Sequence, residues 1–296
     1  MKRIVSSLVV LGLIAIFPKG APQAHSAPAA KLRLDVYTSS EKTFCVGSTI
    51  IYGKTESILI DTQYYKSEAA RVADRIAATG TRLKAIIITH AHDDHYMGAE
   101  IIHERFPQAP IYMSAPALEQ FKQESAEELS GQKQYVPDET PDSLASPEVL
   151  PTTHFVVDGQ DVEIMQGQGD EVKTTNSFVW IPSLRAIIAG DIVFNGVHPW
   201  LANSTEPSRS AWLRSLEQLK ALHPRIVVAG HKRDSEVKDS PDAIDFMEQY
   251  LRDFEVARKS SSNPDELFAA VKSKYPSLAL DNRILKRSVR RAFPTK

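Results

Sequence analysis

Cysteine is nearly absent. The chain has one, Cys45, in 296 residues, so no intramolecular disulfide framework is possible. Flanked by Phe44 and Val46 in an expected strand, this thiol reads as a small buried apolar group. Charge of one sign is also lacking. Lys and Arg total 35 against 37 Asp and Glu, a formal net charge of −2, so nothing favours nucleic acid as a partner. The basic run 287–291 reads most simply as a solvated helix face. Long apolar runs are missing except at the start, and no internal repeat is visible. There Lys2 and Arg3 precede an apolar stretch over 4–17, too short to span a bilayer with certainty. Small residues over 24–30 follow as cleavage sites. Residues 1–27 are therefore expected to be a secretory signal, with an uncleaved anchor as the alternative. The mature chain, 28–296, is expected in the periplasm or medium, with no stable membrane insertion after cleavage. Its 42% hydrophobic content suits one large domain with an ample core.

What is present in excess is histidine and aspartate in one place. Thr89-His90-Ala91-His92-Asp93-Asp94-His95 directly follows the apolar run Ala85-Ile86-Ile87-Ile88. A catalytic zinc takes imidazole nitrogens and carboxylate oxygens and keeps a position open. On an extended segment His90 and His92 point the same way and can reach one metal. Asp94 and His95 come where the chain turns into a helix, so they leave in another direction and can hold a second ion.

Around this motif, alternation at 31–37, 43–52 and 57–61 predicts strands, and spacing of four predicts a helix over 67–79. Further strands are expected at 83–89, 111–113, 153–157, 162–165, 185–189 and 226–230. Helices are expected at 208–222 and within 239–296, where Asn263-Pro264-Asp265-Glu266 has a capping-box pattern. Residues 115–151 begin as a helix and then turn Pro-, Ser- and acid-rich, a flap over the site or a plain surface excursion.

The His-x-His-x-Asp-His pattern behind a strand resembles the metallo-β-lactamase superfamily. That resemblance implies an α/β fold, an αββα sandwich of two mixed β-sheets flanked by helices, with a mono- or dizinc site at one edge. It implies that Asp61, closing the strand Ile58-Leu59-Ile60, supports the metal-binding loops rather than the metal. Gly190-Asp191 resembles the motif whose Asp bridges two metals, and Gly230-His231 the motif whose His completes the second site. The family's third ligand of the first site is a His in Gly-His-Thr. Here that segment reads Gly167-Gln168-Gly169-Asp170-Glu171, and counting back from Pro182 puts Asp170 at the position, with Glu171 and Gln168 as competitors.

By the resemblance, the first zinc would be held by His90, His92 and Asp170, and the second by Asp94, His95 and His231. Asp191 would bridge, and Asp94 and Asp191 would be the catalytic carboxylates. A carboxylate as third ligand would weaken Lewis acidity and admit a harder metal, iron or manganese, in place of zinc. His198 and Trp200 follow the bridging Asp closely enough to line a pocket. Lys232, with Arg233, could meet a substrate carboxylate. The implied activity is hydrolysis of a small carbonyl ester, lactone or thioester, the metals ionising a water. The alternatives are a β-lactamase, an iron oxidoreductase, and a metal-binding protein that has lost turnover.

Overall fold

The structure, a computed structural model, describes residues 31–171 and 175–293. The stretch read as a signal, 1–27, lies outside the described residues. In the first half, β1 (Arg33–Thr38), β2 (Gly47–Tyr52), β3 (Glu56–Ile60), α1 (Lys66–Ala78) and β4 (Arg82–Ile87) lead to the His/Asp motif. Then come α2 (Asp93–Tyr96), α3 (Ala99–Arg105), β5 (Ile111–Met113), α4 (Ala115–Tyr135) and β6 (Glu148–Val149). The six strands form one sheet in chain order, antiparallel from β1 to β3 and parallel from β3 to β6.

The second half runs β7 (His154–Val157), β8 (Gln160–Gln168), β9 (Asn176–Ile181), β10 (Ala186–Ile188), β11 (Phe194–Asn195), α5 (Glu206–Ala221), β12 (Ile226–Val228) and β13 (His231–Lys232). It closes with α6 (Asp242–Ser260), α7 (Pro264–Lys274), a π-helical turn at Asp281–Leu285 and α8 (Lys286–Arg291). The second sheet has the order β12-β10-β9-β8-β7, with β12 parallel to β10 and the rest antiparallel.

Strand alternation builds the layers. Ile58 and Ile60 of β3 and Ile87 of β4 point into the space between the sheets, where they meet Val179, Ile181, Ala186, Ile188 and Val228. Their neighbours Leu59 and Ile86 point the other way, onto Ala69, Val72, Ala73 and Ile76 of α1. On the second sheet Phe178, Ile187 and Val227 face Trp212, Leu216 and Leu219 of α5 and Ile244, Met247 and Leu251 of α6. Each fully buried Val, Leu, Ile or Met among them contributes about 1.5–3 kcal/mol. The result is helices, sheet, sheet, helices: two mixed β-sheets flanked by helices, the fold class the resemblance implies.

Residues 115–151 are mostly ordered structure. α4 buries Leu118 and Phe121 on the first sheet's helical layer, and β6 extends that sheet's edge. Ser114 caps α4 by accepting from the Ala117 amide. Thr205 and Ser208 form a reciprocal capping box at α5, and Asn263 accepts from the Glu266 amide at α7. No helix among the described residues is long and apolar enough to cross a membrane.

Candidate metal centre

The site forms where strand ends from both sheets meet. β4 ends just before Thr89 and His90, and α2 starts immediately after His92, so the chain turns while displaying four potential ligands. Two glycines let the remaining loops approach. The Gly230 amide donates to the Gly190 carbonyl at 3.0 Å. A Cβ on Gly230 would lie 2.5 Å from the Gly190 carbonyl carbon and 2.9 Å from Asp191 Oδ1. Gly190 has φ +52, and a Cβ there would meet Thr89 Oγ1 at 2.9 Å. This backbone contact brings Asp191 and His231 to the motif.

Every imidazole at the centre is held from behind. His95 Nδ1 donates to Asp61 Oδ2 at 2.9 Å. Asp61 also accepts from the Thr89 amide at 2.8 Å and the Thr89 hydroxyl at 2.9 Å. Having given its hydrogen away, Thr89 Oγ1 accepts from His90 Nδ1 at 2.9 Å. His231 Nδ1 donates to the Phe44 carbonyl at 2.7 Å, and His92 Nε2 donates to Glu171 Oε1 at 3.0 Å. Carboxylates and carbonyls only accept, so these partners fix the tautomers.

The consequence is that four lone pairs point inward. His90 Nε2 and His92 Nδ1 face each other at 2.8 Å, and His95 Nε2 faces His231 Nε2 at 3.3 Å. Asp191 lies between the pairs. Its Oδ2 is 3.4 Å from His90 Nε2 and 3.2 Å from His92 Nδ1; its Oδ1 is 3.0 Å from His95 Nε2 and 3.1 Å from His231 Nε2. Yet Oδ1 is buried and receives no hydrogen bond. Asp94 Oδ2 stands 3.6 Å from His231 Nε2. Donors on a tetrahedral zinc sit about 3.3 Å apart, from bonds of about 2.0 Å. His90, His95 and Asp191, and Asp94, His95 and His231, are two groups whose ligand atoms all lie within 4.8 Å of one another. Facing lone pairs and an orphaned carboxylate oxygen fit a cation-binding centre.

Without a cation the surrounding carboxylates favour protons on His92, His95 and His231, so a metal ion would compete with protons for these nitrogens. Burial would raise Asp191, but His231, His90 and His95 outweigh it and hold the carboxyl well below its usual range. Burial lowers His90, whereas for His95 the carboxylates of Asp191, Asp61 and Asp94 overcome burial and hold the ring well above its ordinary value. Burial and neighbouring Asp94 push Asp93 up to about 7.

Of the residues singled out in the sequence, His90, His92, Asp94, His95, Asp191 and His231 come together. Asp170 does not join either donor group. Its Oδ1 accepts from the Glu171 amide at 2.7 Å, and burial together with Glu171 pushes it up to about 8. Glu171, not Asp170, reaches His92, and it does so from the far side of the ring. Which of two adjacent carboxylates faces the ring is something residue counting cannot reveal.

The cleft over the centre encloses about 200 Å³ and is lined by Phe44, Tyr64, Phe194, Trp200, Leu280 and Ile284, with Asp93, Asp94, Glu128, Asn203 and Arg287. His92, Asp191 and His231 form its floor. Trp200 is in place as expected, but His198 and Lys232 are corrections. His198 is fully buried between Tyr250 Oη at 2.8 Å and Asp281 Oδ1 at 2.9 Å, tying α6 to the π-helical turn. Lys232 follows His231 on β13, and alternation sends its side chain the other way, to Asp239 at 2.7 Å. Arg233 pairs with Asp234. Sequence reasoning missed Arg287, taken for part of a solvated helix face, and the wall residues Phe44, Tyr64, Glu128 and Ile284. No local pattern marks them, because the fold assembles that wall from distant segments.

The profile of the metallo-beta-lactamase superfamily matches residues 43–231, and the chain belongs to that superfamily. It therefore has a hydrolase-type, metal-binding fold. Among solved structures, a metallo-beta-lactamase family protein from Thermus thermophilus superposes with TM-score 0.62 at 18% identity, covering 90% of this chain and 92% of that one. A metallo-beta-lactamase from Pontibacter korlensis gives 0.55 at 19%, covering 77% and 97%. A double mutant of the sec-alkyl sulfatase PisA1 gives 0.54 at 16%, covering 83% and 46%. At these identities the likeness is one of fold. No curated protein matches the sequence significantly.

Proposed function

We propose that the protein is a dinuclear zinc hydrolase acting on a small carbonyl ester, lactone or thioester. The observation that carries this is Asp191 Oδ1, buried without a hydrogen bond between two imidazoles that both offer lone pairs. His90, His92 and Asp191 would hold one ion, and Asp94, His95 and His231, with Asp191 shared, the other. Bound there, two divalent cations supply a water of lowered pKa and offset charge developing on the substrate oxygen.

The chain's own residues do the rest. Asp61, Thr89, Glu171 and the Phe44 carbonyl fix ring orientation before any ligand arrives, so no reorganisation is needed at that moment. Asp94 is partly exposed in the cleft lining, and the oxygen it does not give to the second ion would take a proton from an attacking water and deliver it to the leaving group. Asn203 lines the cleft and its side chain donates to Glu171, and its second amide hydrogen would be available to a substrate oxygen. Phe44, Trp200 and Ile284 exclude water from an apolar acyl chain. The signal-like residues 1–27 support export to the periplasm or medium. Cell fractionation tests that point.

The test is metal analysis of the mature protein combined with a screen of esters, lactones, thioesters and β-lactams. Turnover that is lost on chelation and restored by zinc is expected. Full metal loading with no turnover on any of these classes would favour a binding protein instead.

A further inference from the structure

The cleft has two unlike walls. Asp93 and Glu128 come from α2 and α4, whose layer covers the first sheet. Leu280, Ile284 and Arg287 come from the π-helical turn and α8, whose layer covers the second. The acidic residues of the cleft are thus carried by one helical layer and Arg287 by the other.

Arg287 is the one Lys or Arg among the described residues that line the cleft. Its place is fixed from below: Leu285 and Val289 enter the core, and Ser288 Oγ accepts from the Leu201 amide at 3.0 Å. Arg287 is an exposed residue with no hydrogen-bond or ion-pair partner among the described residues. Arg283, one turn back, is committed elsewhere, whereas Arg290 and Arg291 lie outside the cleft lining. Arg283 donates to the Glu41 and Lys42 carbonyls at 3.1 and 2.6 Å, and Arg209 pairs with Glu255. A free guanidinium at the mouth of an otherwise acidic and apolar cleft is a fork without its anion.

We infer that Arg287 anchors a carboxylate on the substrate. The substrate class is then an ester, lactone or thioester whose apolar body ends in a carboxylate, an inference that rests on the hydrolase reading. Asp93 and Glu128 repel such a tail and Arg287 attracts it, so the charge sets which way round the molecule lies. The apolar segment spans Trp200 and Ile284, and the carbonyl reaches the centre.

The test uses the metal-loaded mature protein and a matched pair of esters of equal length. These are p-nitrophenyl butyrate, which is neutral, and mono-p-nitrophenyl succinate, which ends in a carboxylate. Arg287→Gln is expected to lower the ratio of kcat/KM for the acid over the neutral ester by about 10- to 100-fold, mostly through KM. Arg291→Gln, which removes the same charge one turn on, is expected to leave that ratio unchanged. An unchanged ratio in Arg287→Gln, or an equal fall in Arg291→Gln, overturns the inference. Turnover of neither ester would count against the hydrolase reading alone. Calorimetry with 4-phenylbutyrate and its neutral amide then decides the Arg287 role separately. Wild type should prefer the acid and Arg287→Gln should lose the preference; equal binding by the two proteins, or no preference in wild type, overturns it.

Discussion

Replacing His198 with glutamine should flatten the acid limb of the protein's stability profile. The ring is fully buried between Tyr250 on α6 and Asp281 at the π-helical turn. As the neutral tautomer it satisfies both, accepting from the Tyr250 hydroxyl at Nδ1 and donating from Nε2 to Asp281. Burial pushes its pKa from the usual 6.5 down to about 4, with the Asp281 carboxylate offsetting part of the effect and Lys272 adding to it. The folded state therefore resists a proton that the unfolded chain accepts. Above 6.5 both states are neutral and the stability is fully present; as pH falls from 6.5 towards 4 it is lost. At about 1.4 kcal/mol per pH unit the full loss is about 3 kcal/mol, of which about 2 is reached by pH 5. Urea unfolding of wild type and His198→Gln at pH 7.5 and 5 reads this directly. Glutamine can also donate and accept but takes up no proton, so the variant should lose about 2 kcal/mol less than wild type over that interval. Parallel profiles would refute the assignment of a neutral buried ring.

Other perturbations act at the centre. Asp61→Ala frees His95 Nδ1 and should weaken zinc affinity about 10- to 100-fold in competition with a chelating dye; an unchanged affinity would show that His95 needs no partner. Gly230→Ala would force a Cβ to 2.5 Å from Gly190, so thermal unfolding should occur at lower temperature and metal retention on dialysis should fall. Glu171→Gln should reduce metal affinity more than Asp170→Asn, since Glu171 alone reaches His92; the reverse order in metal titrations would return Asp170 to the site. Trp212→Ala should cost about 3–5 kcal/mol in urea unfolding, through a cavity and the lost hydrogen bond to the Ile192 carbonyl.

The layers were legible because they rest on local patterns. The alternation of Ile58-Leu59-Ile60 and the apolar run ending at Ile88 announce strands, and Trp212, Leu216 and Leu219 announce one face of a helix. The dense His/Asp motif was legible for the same reason, since its spacing alone converges donors. Asp191 and His231 were legible through the resemblance of Gly190-Asp191 and Gly230-His231 to the family's motifs, although only the structure shows why glycine is needed there. Long-range geometry accounts for the rest. Whether His198 turns to the cleft or to Tyr250 depends on α6, whose Tyr250 is 52 residues away. The side Lys232 takes depends on which face of β13 carries His231. Asp170 and Glu171 are adjacent in sequence, and only the fold of their loop selects Glu171 as the partner of His92. Arg287 looked like surface because nothing in the sequence says that α8 closes the cleft.

X-ray diffraction collected at the zinc absorption edge from crystals grown with zinc addresses the centre most directly. Two anomalous peaks are predicted, one among His90, His92 and Asp191 and one among Asp94, His95, His231 and Asp191. No peak at either place under saturating zinc would contradict the account.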